Sequence, residues 1–97
     1  MFQIMDTINI SNHKGVQSTK LSKSENIEVL HISLEKDAVL KRHTSPKDAL
    51  LMVLKGHISF HINNDTHVLS KHQIFNFAKD VEHWVEAHEN SNFIIIR

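Results

Sequence analysis

The sequence predicts an all-β fold: a small β-barrel or two-sheet sandwich of short antiparallel strands. Two observations carry this. Apolar residues recur with a period of two, and turn-forming residues punctuate the chain between the alternating runs. In "IEVLHISL" (27–34), Leu30, Ile32 and Leu34 share one face and Val29, His31 and Ser33 the other. In "HISFHI" (57–62), Ile58, Phe60 and Ile62 oppose His57, Ser59 and His61. No window of helical length holds a clean stripe at helical spacing.

Taken in order, residues 1–26 form an N-terminal strand or arm. Within it, "TINI" (7–10) is a candidate edge strand, added to the sheet or exchanged between two copies. The run 27–34 is a strand by its alternation. "SPKDALLMVLK" (45–55) is the best rival for a helix, with Ser45 and Pro46 as a start. The glycine that follows, and the alternating strand after it, favour a strand and a tight turn instead. "HQIFNF" (72–77) and "VEHWVEA" (81–87) are rich in aromatic and β-branched residues, and "NFIIIR" (92–97) reads as a buried last strand. Turns are expected at 12–15, 44–48, 55–56, 63–65, 78–80 and 89–92. The total is eight to ten short strands in one domain, 1–97, with no linker or repeat. The expected interior comprises Leu30, Ile32, Leu34, Leu51, Val53, Ile58, Phe60, Ile62, Phe75, Phe77, Val85, Phe93 and Ile95.

Composition bounds the function. A 97-residue chain that is 40% hydrophobic can build one modest core. Such a barrel gains from hiding sheet edges and apolar surface against a second copy, so a homodimer is expected. Eleven basic residues balance eleven acidic ones, which gives no basic footprint for nucleic acid. The chain has no cysteine, which excludes disulfides, thiolate nucleophiles and cysteine-type zinc sites. No apolar run approaches the roughly 18 residues of a membrane span, and "MFQIMDTINI" is unlike a secretion signal. The cytoplasm is the expected compartment.

The order of these pieces resembles the small single-domain cupins. Their first motif is a glycine, two histidines one residue apart, a glutamate and a closing glycine. On "DAVLKRHTSPKDALLMVLKG" (37–56), Asp37 stands at the first glycine, His43 and Ser45 at the histidines, Ala49 at the glutamate, and Gly56 closes the motif. The second motif is a glycine, a proline, a glycine, a histidine and an asparagine. On "HQIFNFAKDVEHWVEA" (72–87) these fall on His72, Ala78, Asp80, His83 and Ala87. Fifteen residues separate Gly56 from His72, similar to compact cupins. Only His43, Gly56 and His83 match as identities, and the resemblance covers about residues 27–97.

The resemblance implies a jelly-roll barrel, a double-stranded β-helix, whose interior presents three histidines and one glutamate to a divalent metal. Here His43 and His83 remain, Ser45 is a poor ligand and Ala49 cannot coordinate. Two imidazoles without a carboxylate predict weak or substoichiometric binding of a divalent transition metal (Zn, Ni, Fe or Mn). Asp48 would take the place of the glutamate if the register slipped by one residue, which would turn Leu51 and Val53 outward. The ligand pocket is therefore expected around His43, Ser45, Ala49 and His83, with Lys41 and Arg42 as a basic rim for an anion. A non-catalytic small-molecule-binding or sensing module is the first reading. A metal-dependent enzyme of dioxygenase or isomerase type, using His43 and His83, is the second. His57 and His61 lie too far apart along a strand for one metal. His13, His67, His72 and His88 read as surface residues, and Trp84 should face away from its neighbour His83.

Overall fold

A computed structural model describes residues 2–97. Among them a single helical turn, α1 (Thr7–Ile10), precedes nine strands: β1 (Val16–Lys23), β2 (Glu28–Leu34), β3 (Val39–His43), β4 (Ala49–Lys55), β5 (His57–Ile62), β6 (Asp65–Ser70), β7 (Ile74–Phe77), β8 (His83–Ala87) and β9 (Ser91–Ile96). They form two sheets, in the order β1-β2-β9-β4-β7 and β3-β8-β5-β6. Every pairing is antiparallel.

The core lies between the sheets, where the period of two put it. Ile32 and Leu34 of β2, Leu51 and Val53 of β4, Ile58 and Phe60 of β5, Val85 of β8, and Phe93 and Ile95 of β9 are buried. Leu30, Ile62 and Phe75, also expected inside, are half-buried against that cluster. Phe77 of β7, expected inside, is buried too, and Leu69, Ala49 and Ala87 complete the cluster. Alternation alone does not mark two alanines and one leucine in a polar strand.

The segment 45–55 is a strand, so the glycine signal outweighs the helix rival. Its register is also settled. Ala49, Leu51 and Val53 face in, while Asp48 is exposed and accepts the Lys79 N–H at 2.9 Å. The one-residue slip that would carry Asp48 inward does not occur. Between β5 and β6, Asn63 and Asn64 take φ of 53° and 62°, as a two-residue hairpin turn requires.

"TINI" departs from expectation. It is the helical turn α1, not an edge strand. Ile10 N–H bonds the Asp6 carbonyl at 3.2 Å, and the Ser11 hydroxyl donates to the Ile8 carbonyl at 2.8 Å. These local bonds use groups that a strand would offer to a neighbour. The N-terminal strand is instead β1, which alternation misses because only Gln17 and Leu21 of its eight residues are half-buried. It is an edge strand, rich in Ser, Thr and Lys as edges are.

Candidate functional site

His43 and His83 meet. They are register partners across β3 and β8, at an irregularity in the pairing. Their Nε2 atoms lie 3.0 Å apart, and the rings are 4.3 Å between centroids at 69°. His83 is 2% exposed, and His43 is half-buried. Each Nδ1 lies against a backbone carbonyl two residues back: His43 against Lys41 at 2.6 Å, His83 against Val81 at 3.0 Å. The inner wall of the site is aromatic. Phe60 stacks on His83 at 5.1 Å and Phe77 approaches it edge-on at 4.8 Å. Burial first, opposed by the Val81 carbonyl, and then the charges of His43 and Arg97 leave the His83 pKa below the ordinary value. The neutral ring is therefore its favoured form.

Counting protons exposes a deficit. Both carbonyls only accept, so each needs an N–H from its imidazole. The Nε2···Nε2 contact needs a third. Two neutral imidazoles carry two N–H groups in all, so the pair is one proton short of satisfying its three contacts.

Ser45 and Ala49 do not join this pair. Ser45 is buried, but its hydroxyl donates to the Lys47 carbonyl at 2.6 Å and holds the β3–β4 turn. The Ser45 carbonyl accepts Asp80 N–H at 2.9 Å, tying that turn to the loop before β8. Ala49 packs in the core opposite Phe77. It lines a depression of about 470 Å³ on another part of the surface, with Asp48, Leu50, Asn76, Phe77, Ala78 and Ile96. His43 instead lines an open depression of about 410 Å³ with Val16, Val39, Leu40, Lys41 and Arg42. This is the seam between β1 and β3, the edge strands of the two sheets. Lys41 and Arg42, expected as a basic rim beside His43, line this depression together with an apolar wall that the sequence did not disclose.

The donor set does not fit a resident metal. Fixing Nδ1 on a carbonyl and aiming Nε2 is how proteins orient a metal-bound histidine. Among the described residues, however, no group of three His, Cys, Asp or Glu side chains is placed to hold a metal ion. A third and a fourth ligand are what the Ser45 and Ala49 positions fail to supply.

The motif glycines have a conformational counterpart. Asp37, His72 and Asp80, laid on glycine positions, have φ of 69°, 68° and 63°. Asp and His are among the non-glycine residues that tolerate this region best. The turns are kept although the glycines are gone. Gly56 has φ of 88° and also no room for a side chain: a Cβ there would meet Ser91 and, at 2.7 Å, the Asn90 carbonyl.

The remaining histidines sort by face. Trp84 points away from His83, as expected, and stacks on His61 at 3.6 Å and 4°. His61 also contacts Glu86 at 3.1 Å, and exposed His57 contacts Glu89 at 3.0 Å. His72 and His88 are exposed, while His13 and His67 are half-buried. Sequence reasoning missed two polar features. Arg97 is bound to Glu28 at 2.9 Å, with Nη1 3.5 Å from the Ser45 hydroxyl. His31 and Asn92 are buried on the outer face of their sheet, and each keeps one atom, Nε2 and Oδ1, without a partner. Burial and the nearby His13 push the His31 pKa down, and the Asn92 amide works against them.

Comparison with solved structures identifies the architecture as the RmlC-like cupin barrel. A cupin of that description from Desulfovibrio desulfuricans superposes with a TM-score of 0.85 at 13% identity, over 99% of this chain and 95% of its own. A cupin 2 conserved barrel domain protein from Leptotrichia buccalis gives 0.85 at 22% identity, over 95% of this chain and 46% of its own. A conserved protein of unknown function from Streptococcus pyogenes gives 0.76 at 23% identity, over 84% and 71%. No family model and no curated protein matches the chain. The likeness is one of fold.

Proposed function

We propose that this chain is a non-catalytic cupin-fold module that binds a small organic acid at the seam beside His43, with His43 and His83 as a proton-accepting pair. The observation that carries the reading is the Nε2···Nε2 contact of 3.0 Å between rings whose Nδ1 atoms are already committed. Such a pair takes up one proton readily only if an anion arrives with it, because a lone charge in a half-buried site is costly. A carboxylate supplies that anion, facing Lys41 and Arg42 at the rim, while the proton that completes the third contact is taken up from solvent with it. The apolar part of the acid lies on Val16, Val39 and Leu40. The volume of about 410 Å³ is in the range of small-molecule sites. The incomplete donor set supports a binding or sensing role over a metal-dependent dioxygenase or isomerase.

Calorimetric titration with acetate, benzoate and succinate tests this, in buffers of different ionisation enthalpy. Binding of at least one acid with uptake of up to one proton is expected, lost in His43→Ala. Benzoate should bind more tightly than acetate because of the apolar wall. Absence of binding at millimolar acid, or binding without proton uptake in both wild type and His43→Ala, overturns the reading.

A further inference from the structure

A polar row crosses the five-stranded sheet in register: Gln17 of β1, Ser33 of β2, Asn92 of β9 and Lys55 of β4. Ser33 and Asn92 are buried. Residues 12 and 13 are bonded along this row. The Ser33 hydroxyl donates to the Asn12 carbonyl at 2.8 Å, the Gln17 amide donates to Asn12 Oδ1 at 2.9 Å, and Asn92 Nδ2 lies 3.2 Å from His13 Nε2. His31, on the same face as Ser33, is 2% exposed, and its Nε2 has no partner. Its register partners, Thr19 and Ile94, carry no charge. The segment itself, "SNHKG" (11–15), holds no apolar residue, and none of it is buried. A few polar bonds hold it in place, which puts it at the low-stability end of the fold.

No acid answers these two imidazoles. His57 and His61 contact Glu89 and Glu86, but among the described residues no carboxylate pairs with His13 or His31. Glu35 is engaged with the Gly15 N–H at 2.9 Å. The other charged groups here are the exposed Lys14 of the segment and the exposed Lys55 of β4. Burial first, then Lys55, disfavours a charge on His13; burial first, and then His13 against the opposing Asn92 amide, disfavours one on His31. The amide between them has one accepting end and one donating end. Two imidazolium rings would bring an N–H to each end, so one contact would set donor against donor whichever way the amide is turned. Gly15 supplies a pivot. It exchanges two bonds of 2.9 Å with Glu35, its φ is 67°, and the space where a Cβ would stand is open. β1 starts at the next residue.

We propose that residues 11–14 form a proton-released latch, closed on the polar row while His13 and His31 are neutral and lifted about Gly15 when they take up protons. Lifting frees the chain upstream of β1 and opens Ser33, Asn92 and His31 to solvent, while the strand ladder stays. In the lifted state both rings are solvated and titrate near the ordinary value of about 6.5, whereas the closed state resists the charge. Closure is therefore complete above about pH 6.5 and is lost as pH falls. The opening equilibrium rises by up to about tenfold per pH unit for each proton taken up, which at pH 5.0 amounts to up to about thirtyfold for one proton and about a thousandfold for two. The latch does not rest on the acid-binding reading.

The test is the ¹H–¹⁵N heteronuclear NOE of the whole labelled chain at pH 7.5 and pH 5.0. At pH 7.5 the amides of residues 12–14 should be as ordered as those of β1. At pH 5.0 they should fall toward the values of residues 2–5, while β2 and β9 stay unchanged. Two variants accompany the wild type. His13→Gln/His31→Gln removes both proton sites and keeps a side-chain amide beside Asn92, so the segment should stay closed at both pH values. Lys55→Glu changes an exposed residue and sets a carboxylate beside His13, so opening should move to lower pH. A wild-type segment that stays ordered at pH 5.0, or that loosens only together with the strands, overturns the proposal. So does opening at the wild-type pH in both variants; if the double variant is open throughout, the Lys55→Glu shift alone decides.

Discussion

Replacing Gly56 with alanine separates two costs that usually arrive together. The first is conformational. At φ of 88°, an alanine Cβ is forced into the left-handed region, which costs about 1–2 kcal/mol. The second is contact. The new methyl would fall on the Ser91 side chain and lie 2.7 Å from the Asn90 carbonyl. Ser91 is fully buried and cannot swing into solvent. Its hydroxyl oxygen accepts from His57 N–H at 3.1 Å and donates to the Glu89 carbonyl at 2.7 Å. Losing these two bonds costs about 1 kcal/mol each. The sum is about 3–4 kcal/mol, a large part of the roughly 5–15 kcal/mol available to a domain. Gly15 is the control. Its φ is 67°, but a Cβ there meets nothing within 4 Å. Gly15→Ala should therefore cost only the conformational part. In urea, with a slope of about 1–3 kcal/mol/M, the contact part of about 2 kcal/mol should separate the two midpoints by roughly 0.7–2 M. Equal midpoints would refute the contact argument and the packing of the β4–β5 turn against Ser91.

Three further outcomes follow from the same structure. Burial holds the His83, His31 and His13 pKa values below the ordinary value of 6.5, aided at His13 by Lys55. A depressed histidine contributes stability that is complete above the unfolded pKa and is lost as pH falls, so the ligand-free urea midpoint should be flat above about pH 6.5 and decline below it. A midpoint that rises between pH 7 and pH 5.5 would contradict this. Asp37→Gly, His72→Gly and Asp80→Gly should each raise the unfolding free energy by up to about 1 kcal/mol, read as a higher urea midpoint. Relief of left-handed strain of about 1–2 kcal/mol exceeds the ~0.5–1 kcal/mol that glycine loses in entropy; destabilisation by all three would refute it. Phe60→Ala, which removes the ring against Phe75, Phe77 and His83, should cost about 3–5 kcal/mol and loosen the His43–His83 pair, read from the His83 imidazole resonance.

The period of two was enough to find the core faces of β2, β4, β5 and β9, because a buried strand face must be apolar wherever it occurs. It was not enough for β1, whose ladder is held by backbone groups while its side chains stay in solvent. Motif spacing brought His43 and His83 together because the strands that carry them are adjacent in the barrel. Spacing did not reveal that Ser45 would be spent on its own turn, or that Phe60 and Phe77 would fill the inner wall. Those facts depend on which neighbours a residue meets across the sheets. Val16 and Val39, 23 residues apart in the chain, become one wall only when two sheet edges close on a seam. The buried His31 was visible as one member of the outward face of β2. Its neighbours His13 and Asn92 come from the loop before β1 and from β9, a meeting that no local pattern specifies.

The central claim is that His43 and His83 form a proton-accepting pair and not the remnant of a working metal centre. Thermal melting of untagged protein after chelation, and again with Zn²⁺ or Ni²⁺ in excess, tests it most directly. A native-state site stabilises by RT ln(1 + [L]/Kd), about 3–4 kcal/mol at a hundred- to thousandfold excess over Kd. The two-imidazole donor set predicts melting curves that coincide with and without metal. A stabilisation of that size, abolished by both His43→Ala and His83→Ala, would contradict the claim and favour the metal-dependent enzyme.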